Sequence, residues 1–181
     1  MVVGVSRGGL NALQTILSYL SGGFKLPIVI VQHRESGMET DLAELLRQYS
    51  ARPVLEPNDK DEIKAGTVYI APADYHLAVE EGHLALSTEQ PRGYSRPSID
   101  ILFESAAEEY GNRVIGIILA GSNKDGAVGL AEIARRGGLT VVQDPVTAES
   151  REMPEAALNA CKVDYILPLE AIGGFLDRLG R

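Results

Sequence analysis

The chain has 181 residues, enough for one α/β domain with a full hydrophobic core and too few for two ordinary ones. Hydrophobic residues at 45% and charged residues at 23% are ordinary globular values, which argues against disorder, collagen-like repeats and a coiled coil. Lys and Arg number 17 against 25 Asp and Glu, and a formal charge of −8 repels a phosphate backbone, so nucleic acid is not expected as a partner.

In chain order, short β-branched runs alternate with longer stretches of helical period. Strands are expected at Val2–Val5, Ile28–Gln32, 67–71, 113–120, Leu139–Gln143 and 164–167. Helices are expected at 9–20, 38–49, 98–110, 126–136, 154–160 and Leu169–Leu179, with Gly or Pro near several ends. This alternation predicts an α/β fold: a doubly wound, mostly parallel sheet with helices on both faces. Continuous apolar runs such as Ile28-Val29-Ile30-Val31 suit strands buried on both sides. In the middle, His76–Glu80 and His83–Ser87 alternate with period two around Glu81-Gly82, predicting a β-hairpin inserted at the sheet edge. Residues 89–97 carry two prolines and a glycine and read as an irregular loop.

The lone Cys161 cannot form an internal disulfide, and it follows a helical Ala-rich stretch, where it reads as a small buried hydrophobe. There is no charged-then-apolar leader and no run of about 18 apolar residues, so a cytoplasmic chain without membrane insertion is expected.

Gly4-Val5-Ser6-Arg7-Gly8-Gly9 follows the first strand and opens a helix, matching the G-x-S-x-G turn that exposes a nucleophilic serine. It also approaches the dinucleotide fingerprint, but Ser6 stands where the second glycine must let the backbone reach a pyrophosphate. The next strand ends in Gln32-His33 rather than the acidic residue that binds ribose, so no dinucleotide cofactor is expected. Parallel strands bring their C-terminal ends to one rim, where open α/β sheets place their ligands, and Ser6 and His33 both fall there. Asp125, in the loop Gly121-Ser122-Asn123-Lys124-Asp125-Gly126, is the third member. It reads either as the N-cap of the helix that follows or as the carboxylate that accepts Nδ1–H of His33. His33, His76 and His83 have no zinc-site spacing, so no metal is expected.

Together these residues resemble the catalytic domain of the bacterial chemotaxis protein-glutamate methylesterase, the CheB-type family, over nearly the whole chain. The landmarks are Ser6-Arg7-Gly8-Gly9, Gln32-His33, Tyr69-Ile70-Ala71-Pro72 with His76, Arg96-Pro97-Ser98-Ile99-Asp100, Asp125-Gly126-Ala127 and Met153-Pro154 with Ala157. The resemblance implies a Ser6, His33, Asp125 triad in that order along the chain, unlike the Ser, Asp, His order of α/β-hydrolases. It implies hydrolysis of glutamate γ-methyl esters on cytoplasmic helices of methyl-accepting chemotaxis receptors, and deamidation of receptor glutamines, without cofactor.

Residues 1–181 are then read as a single methylesterase domain without the family's receiver domain, so the chain is either a catalytic fragment or belongs to a protein regulated differently, by a regulator acting in trans, or not at all. The family usually has Gly-Met-Gly where this chain has Gly121-Ser122-Asn123, and the resemblance implies that the Ser122 N–H takes over an oxyanion contact. Loss of glycine at 123 is expected to alter the loop path. Arg7 and Arg34 also depart from the family, reading either as rim contacts to acidic receptor side chains or as solvated charges. Arg96 reads as a substrate-side residue or a loop anchor, His76 as structurally bonded, Ser98 as a helix N-cap, and Asp100 as a first-turn acid favoured by the helix dipole. An esterase or amidase with another substrate, and a non-catalytic receptor-docking module, are the competing readings.

Overall fold

The structure, a computed structural model, describes residues 1–34 and 41–181. Its strands are β1 (Val2–Val5), β2 (Ile28–Gln32), β3 (Val54–Leu55), β4 (Asp61–Glu62), β5 (Val68–Ile70), β6 (His76–Glu80), β7 (His83–Ser87), β8 (Ile115–Ile118), β9 (Leu139–Gln143) and β10 (Tyr165–Leu167). Its helices are α1 (Gly9–Tyr19), α2 (Leu42–Arg47), α3 (Ile99–Tyr110), α4 (Ala127–Arg135), α5 (Glu152–Ala160) and α6 (Leu169–Leu179). Seven strands form one sheet in the order β10-β9-β8-β1-β2-β5-β3, and every pairing within it is parallel. This is the expected doubly wound α/β fold.

Alternate residues of the central strands feed two cores, because a strand sends successive side chains to opposite faces. Val3, Val5, Ile28 and Ile30 pack with Leu13, Leu46 and Ile172 under α1, α2 and α6. Val2, Val29, Val31 and Tyr69 pack with Leu102, Leu130 and Ala157 under α3, α4 and α5. Both faces are covered, which is why these strands carry no polar alternation.

The hairpin forms in the expected register, His76 opposite Ser87 and Glu80 opposite His83, but it does not extend the main sheet. With β4 it makes a separate three-stranded antiparallel sheet. That sheet lies against α3: Leu77, Val79 and Leu84 join the α3 core, and Ser105 Oγ accepts the Val79 N–H at 3.0 Å. The apolar face of the hairpin is buried on a helix, so an edge position is corrected.

Smaller differences lie at boundaries. The eighth strand is shorter than 113–120 because Gly111–Arg113 forms a 3₁₀ turn first. Of the helix expected over 38–49, Leu42–Arg47 is helical with Asp41 capping the Glu44 N–H, and residues 38–40 lie outside the described residues.

The chain leaves β1 toward β2 on one side and returns after α3 to β8 on the other. The strand order therefore reverses between β1 and β8, opening a crevice beyond their C-terminal ends.

Candidate active site

The β1–α1 turn is shaped by close approach. Gly8 closes it at φ 79°, in the left-handed region. A Cβ on Gly4 would run into Ile99 Cγ2, so Gly4 lets the first residue of α3 press against β1. Ladder bonds then continue past the strands: Ser6 N–H donates to Ala120 O at 2.9 Å and His33 N–H donates to Val5 O at 3.0 Å. Ser6, His33 and the segment leading to Asp125 are thereby tied backbone to backbone across three adjacent strand ends.

Gln32 reinforces this. Its Nε2 donates to Ser6 O and to His33 O, both at 2.9 Å, bridging the two loops from below. Its Oε1 is buried and has no partner among the described residues.

His33 Nε2 lies 2.7 Å from Asp125 Oδ2, with the two side chains only 11% and 8% exposed. The expectation that Nδ1 faces the carboxylate is corrected: Nε2 does. Nδ1 lies 2.9 Å from Asn123 Nδ2 instead.

Asp125 does cap a helix, but not its own. The helix after it, α4, starts from Gly126 at φ 93° with no side-chain cap. The carboxylate reaches across to α3, where Oδ2 accepts the Ile99 N–H at 2.7 Å, and Oδ1 accepts the Asp100 N–H and the Ser98 hydroxyl, each at 3.0 Å. Ser98 occupies the N-cap position without capping α3 itself. Asp100 returns the favour, accepting the Gly129 N–H of α4 through Oδ1 at 2.7 Å. The two helices thus cap each other with their aspartates, which places Asp100 in a role beyond the dipole.

Burial pushes the Asp125 carboxyl up, but the bonds from His33, Ile99 and Asp100 outweigh it and hold the group below the usual carboxylate range. Burial likewise pushes Asp100 up, and there it wins over the Gly129 bond. An ionised Asp125 accepts only, so Nε2 of His33 carries the proton.

Above these residues lies a cleft of about 1030 Å³ lined by Ser6, Arg7, His33, Arg96, Ser122 and Asn123, among others. The Ser6 hydroxyl, half-buried at its mouth, has no hydrogen-bond partner among the described residues.

The crevice at the sheet's reversal point lies in a chain whose sequence and fold have known relatives. The chain matches the family described as CheB methylesterase over residues 1–176. It belongs to the CheB methylesterase family. The crystal structure of the Thermotoga maritima CheB methylesterase catalytic domain superposes with a TM-score of 0.92 at 35% identity, covering 98% of this chain and 96% of that one. A Leptospira interrogans protein named for protein-glutamate methylesterase and protein-glutamine glutaminase is 47% identical over 99% of this chain and 93% of its own length. An Anaeromyxobacter dehalogenans protein of the same name is 41% identical over 100% of this chain, which spans only 53% of that relative.

Within this CheB-family cleft the three outer residues singled out from sequence, Arg7, Arg96 and Ser122, all line the wall. Arg7 is exposed. Arg96 donates from Nη1 to the carbonyls of Thr88 and Glu89 at 3.0 and 3.1 Å, so it anchors the 89–97 loop at the cleft edge. Arg34 is neither a solvated charge nor a free rim contact: its Nη2 is held by Glu56 Oε1 at 2.6 Å and Ala71 O at 3.0 Å. Ser122 and Asn123 follow Gly121, which is pinned by N–H to Ser150 O and by its own carbonyl to Met153 N–H, both at 2.9 Å. Asn123 takes no positive φ, so this loop accommodates a residue with a side chain without strain. The N–H groups of Arg7 and Ser122 have no partner among the described residues.

His76 is structural, as expected. Buried at 1% exposure, it accepts the Ser98 N–H at Nδ1 and faces Gln90 O with Nε2, each at 3.2 Å. It holds the residue that opens α3 and so stands directly behind Asp125. Among the described residues no group of three or more His, Cys, Asp or Glu side chains is placed to hold a metal ion, and no helix is long and apolar enough to cross a membrane.

Sequence reasoning misses the role of Gln32, which shows only as a polar residue ending an otherwise apolar strand, and it marks Asn123 as a substituted position of the site loop without its contact to His33.

Proposed function

We propose that Ser6, His33 and Asp125 form a catalytic triad that hydrolyses glutamate γ-methyl esters on the cytoplasmic helices of methyl-accepting chemotaxis receptors and deamidates receptor glutamines. The observation that carries the reading is the 2.7 Å pair between His33 Nε2 and an acceptor-only Asp125, set on the same rim as Ser6. Membership of the CheB methylesterase family and the names of its relatives support the substrate class.

With the proton on Nε2, His33 offers its lone pair at Nδ1. Ser6 Oγ attacks the ester carbonyl carbon and its proton passes to Nδ1, while Asp125 stabilises the imidazolium. The developing oxyanion is held by the backbone N–H groups of Arg7 and Ser122, whose donors are fixed before the substrate arrives. The carbon–oxygen bond to the leaving group breaks, Nδ1–H protonates methoxide, and methanol leaves; with a glutamine, ammonia leaves instead. Water then attacks the acyl-enzyme, giving its proton to Nδ1, and collapse of that intermediate returns the proton to Ser6 Oγ with release of glutamate. The chain's own residues supply every proton transfer in this sequence.

The test is methanol release from methylated receptor by the purified chain and by Ser6→Ala. Activity in the parent chain with background release in the variant is expected. Full activity in Ser6→Ala would overturn the assignment, and activity on small esters without receptor turnover would move the substrate elsewhere.

A further inference from the structure

The proposed triad accounts for Nε2 of His33 but not for what faces Nδ1. Two independent bonds fix the neighbouring amide. Asn123 Oδ1 accepts the Asp125 N–H at 3.0 Å, which decides which end of the carboxamide is oxygen. Nδ2, a donor with no lone pair to offer, is therefore the atom turned toward His33, 2.9 Å from Nδ1. Asp125 fixes the opposite end of the ring, accepting from Nε2 at 2.7 Å. The imidazole is thus held as the Nε2–H tautomer with its basic lone pair filled by an amide N–H. The Ser6 hydroxyl, in the same cleft, has no partner among the described residues.

We propose that Asn123 is a positioning residue that latches the base: in the resting enzyme its amide occupies Nδ1 of His33, and it must swing off before His33 can take the Ser6 proton. The inference rests on the triad reading above. One lone pair cannot accept from Asn123 and receive the serine proton together, so the bond to Asn123 competes with acylation. The same bond presets the tautomer that catalysis needs. Asn123 lies on the cleft wall rather than behind His33, so a carbonyl-bearing side chain entering the cleft offers Nδ2 a replacement acceptor and frees the ring. The loop backbone is held through Gly121, so release is a rotation of the Asn123 side chain, which gives up the bond from the Asp125 N–H together with the bond to His33.

The experiment measures the rate at which a serine-directed fluorophosphonate labels Ser6 in the full chain, at one alkaline pH, for wild type, Asn123→Ala, Asn123→Ser and His33→Ala. Asn123→Ser keeps a short oxygen for the Asp125 N–H but cannot reach Nδ1, so it removes the latch while preserving the turn. Both Asn123 variants are expected to label faster by about two- to tenfold, the fold-change of one net neutral hydrogen bond. Thermal melting confirms that each is folded, and if Asn123→Ala is not, Asn123→Ser carries the test. Imidazole nitrogen NMR supplies a readout that loop damage alone does not move: the His33 Nδ1 resonance should shift toward that of an unbonded lone pair, with Nε2 still protonated. An unchanged or slower rate in folded Asn123→Ser, or an unmoved Nδ1 resonance, overturns the latch. Wild-type labelling in His33→Ala overturns the triad reading instead.

Discussion

One oxygen of Asp125, Oδ2, lies 2.7 Å from His33 Nε2 and also accepts the Ile99 N–H at 2.7 Å, so the orientation of the histidine and the start of α3 depend on the same atom. Asp125→Asn should therefore cost both activity and stability. An amide at this position can present a donor to Nε2 and favour the wrong tautomer, and kcat is expected to fall by about four orders of magnitude. Weakened capping of α3 should lower stability by about 1 kcal/mol. Steady-state turnover and urea unfolding of the same preparation check the two effects.

The pH dependence of that variant has a definite sign. Although burial raises it, the Asp125 carboxyl is held below its ordinary range in the fold by His33 and the two backbone N–H groups. A carboxyl depressed in the folded state contributes stability above its unfolded value of about 3.9, and that contribution is lost as pH falls through the folded value. Wild type should lose stability in this acid window, and Asp125→Asn should lose less there. Unfolding free energies measured across the window decide it.

Asp100 titrates the other way. Burial raises its carboxyl, so the ionised form is disfavoured in the fold and stability falls as pH rises from the unfolded value of about 3.9 through the folded one. Asp100→Asn keeps an oxygen for the Gly129 N–H and removes the buried charge. Near neutrality it should be as stable as wild type or more so, with the difference closing in acid. Asp100→Ala leaves the Gly129 N–H without its acceptor and should be about 1–3 kcal/mol less stable. Paired urea melts of the two variants separate charge from hydrogen bonding.

These couplings mark what was legible in the sequence. The apolar runs of β1, β2 and β9 and the helical periods beside them announce a parallel sheet, and parallelism alone puts Ser6 and His33 on one rim. The pairing of Asp125 with α3 was not legible, because a carboxylate just ahead of α4 looks like that helix's own cap, and nothing local says that Gly126 takes that place. Which nitrogen of His33 meets Asp125 is a matter of tertiary geometry that no local pattern of residues fixes. The hairpin's alternation predicted its pairing, yet could not say whether its apolar face meets a sheet edge or a helix. β3 and β4, at two residues each, are too short to carry a period.

Gly4 connects the sheet to the site through packing alone. Gly4→Ala should drive Ile99 away from β1, moving the N-terminus of α3 and Asp125 with it. Overpacking of this kind costs about 1–3 kcal/mol. The loss of turnover should exceed what that stability change would suggest, because the displaced residue is the one that bonds Asp125. Adding Ile99→Ala to Gly4→Ala opens the space again, and the double variant should recover part of the activity lost by Gly4→Ala. Absence of any such recovery would mean that Gly4 acts on the site by another route.

The oxyanion contacts can be tested through the backbone. Ser122 takes no positive φ, and its N–H has no partner among the described residues, so Ser122→Pro removes that donor without breaking an existing bond. If the Ser122 N–H holds the oxyanion, kcat should fall by about a hundred- to a thousandfold with KM little changed, because the contact strengthens only as charge develops. Ser122→Ala keeps the N–H and should retain wild-type turnover, since the side chain is not the donor. Equal losses in the two variants would place the role in the hydroxyl. Equal retention would leave the Arg7 N–H as the donor that matters, a result consistent with its position at the start of the β1–α1 turn beside the serine it follows.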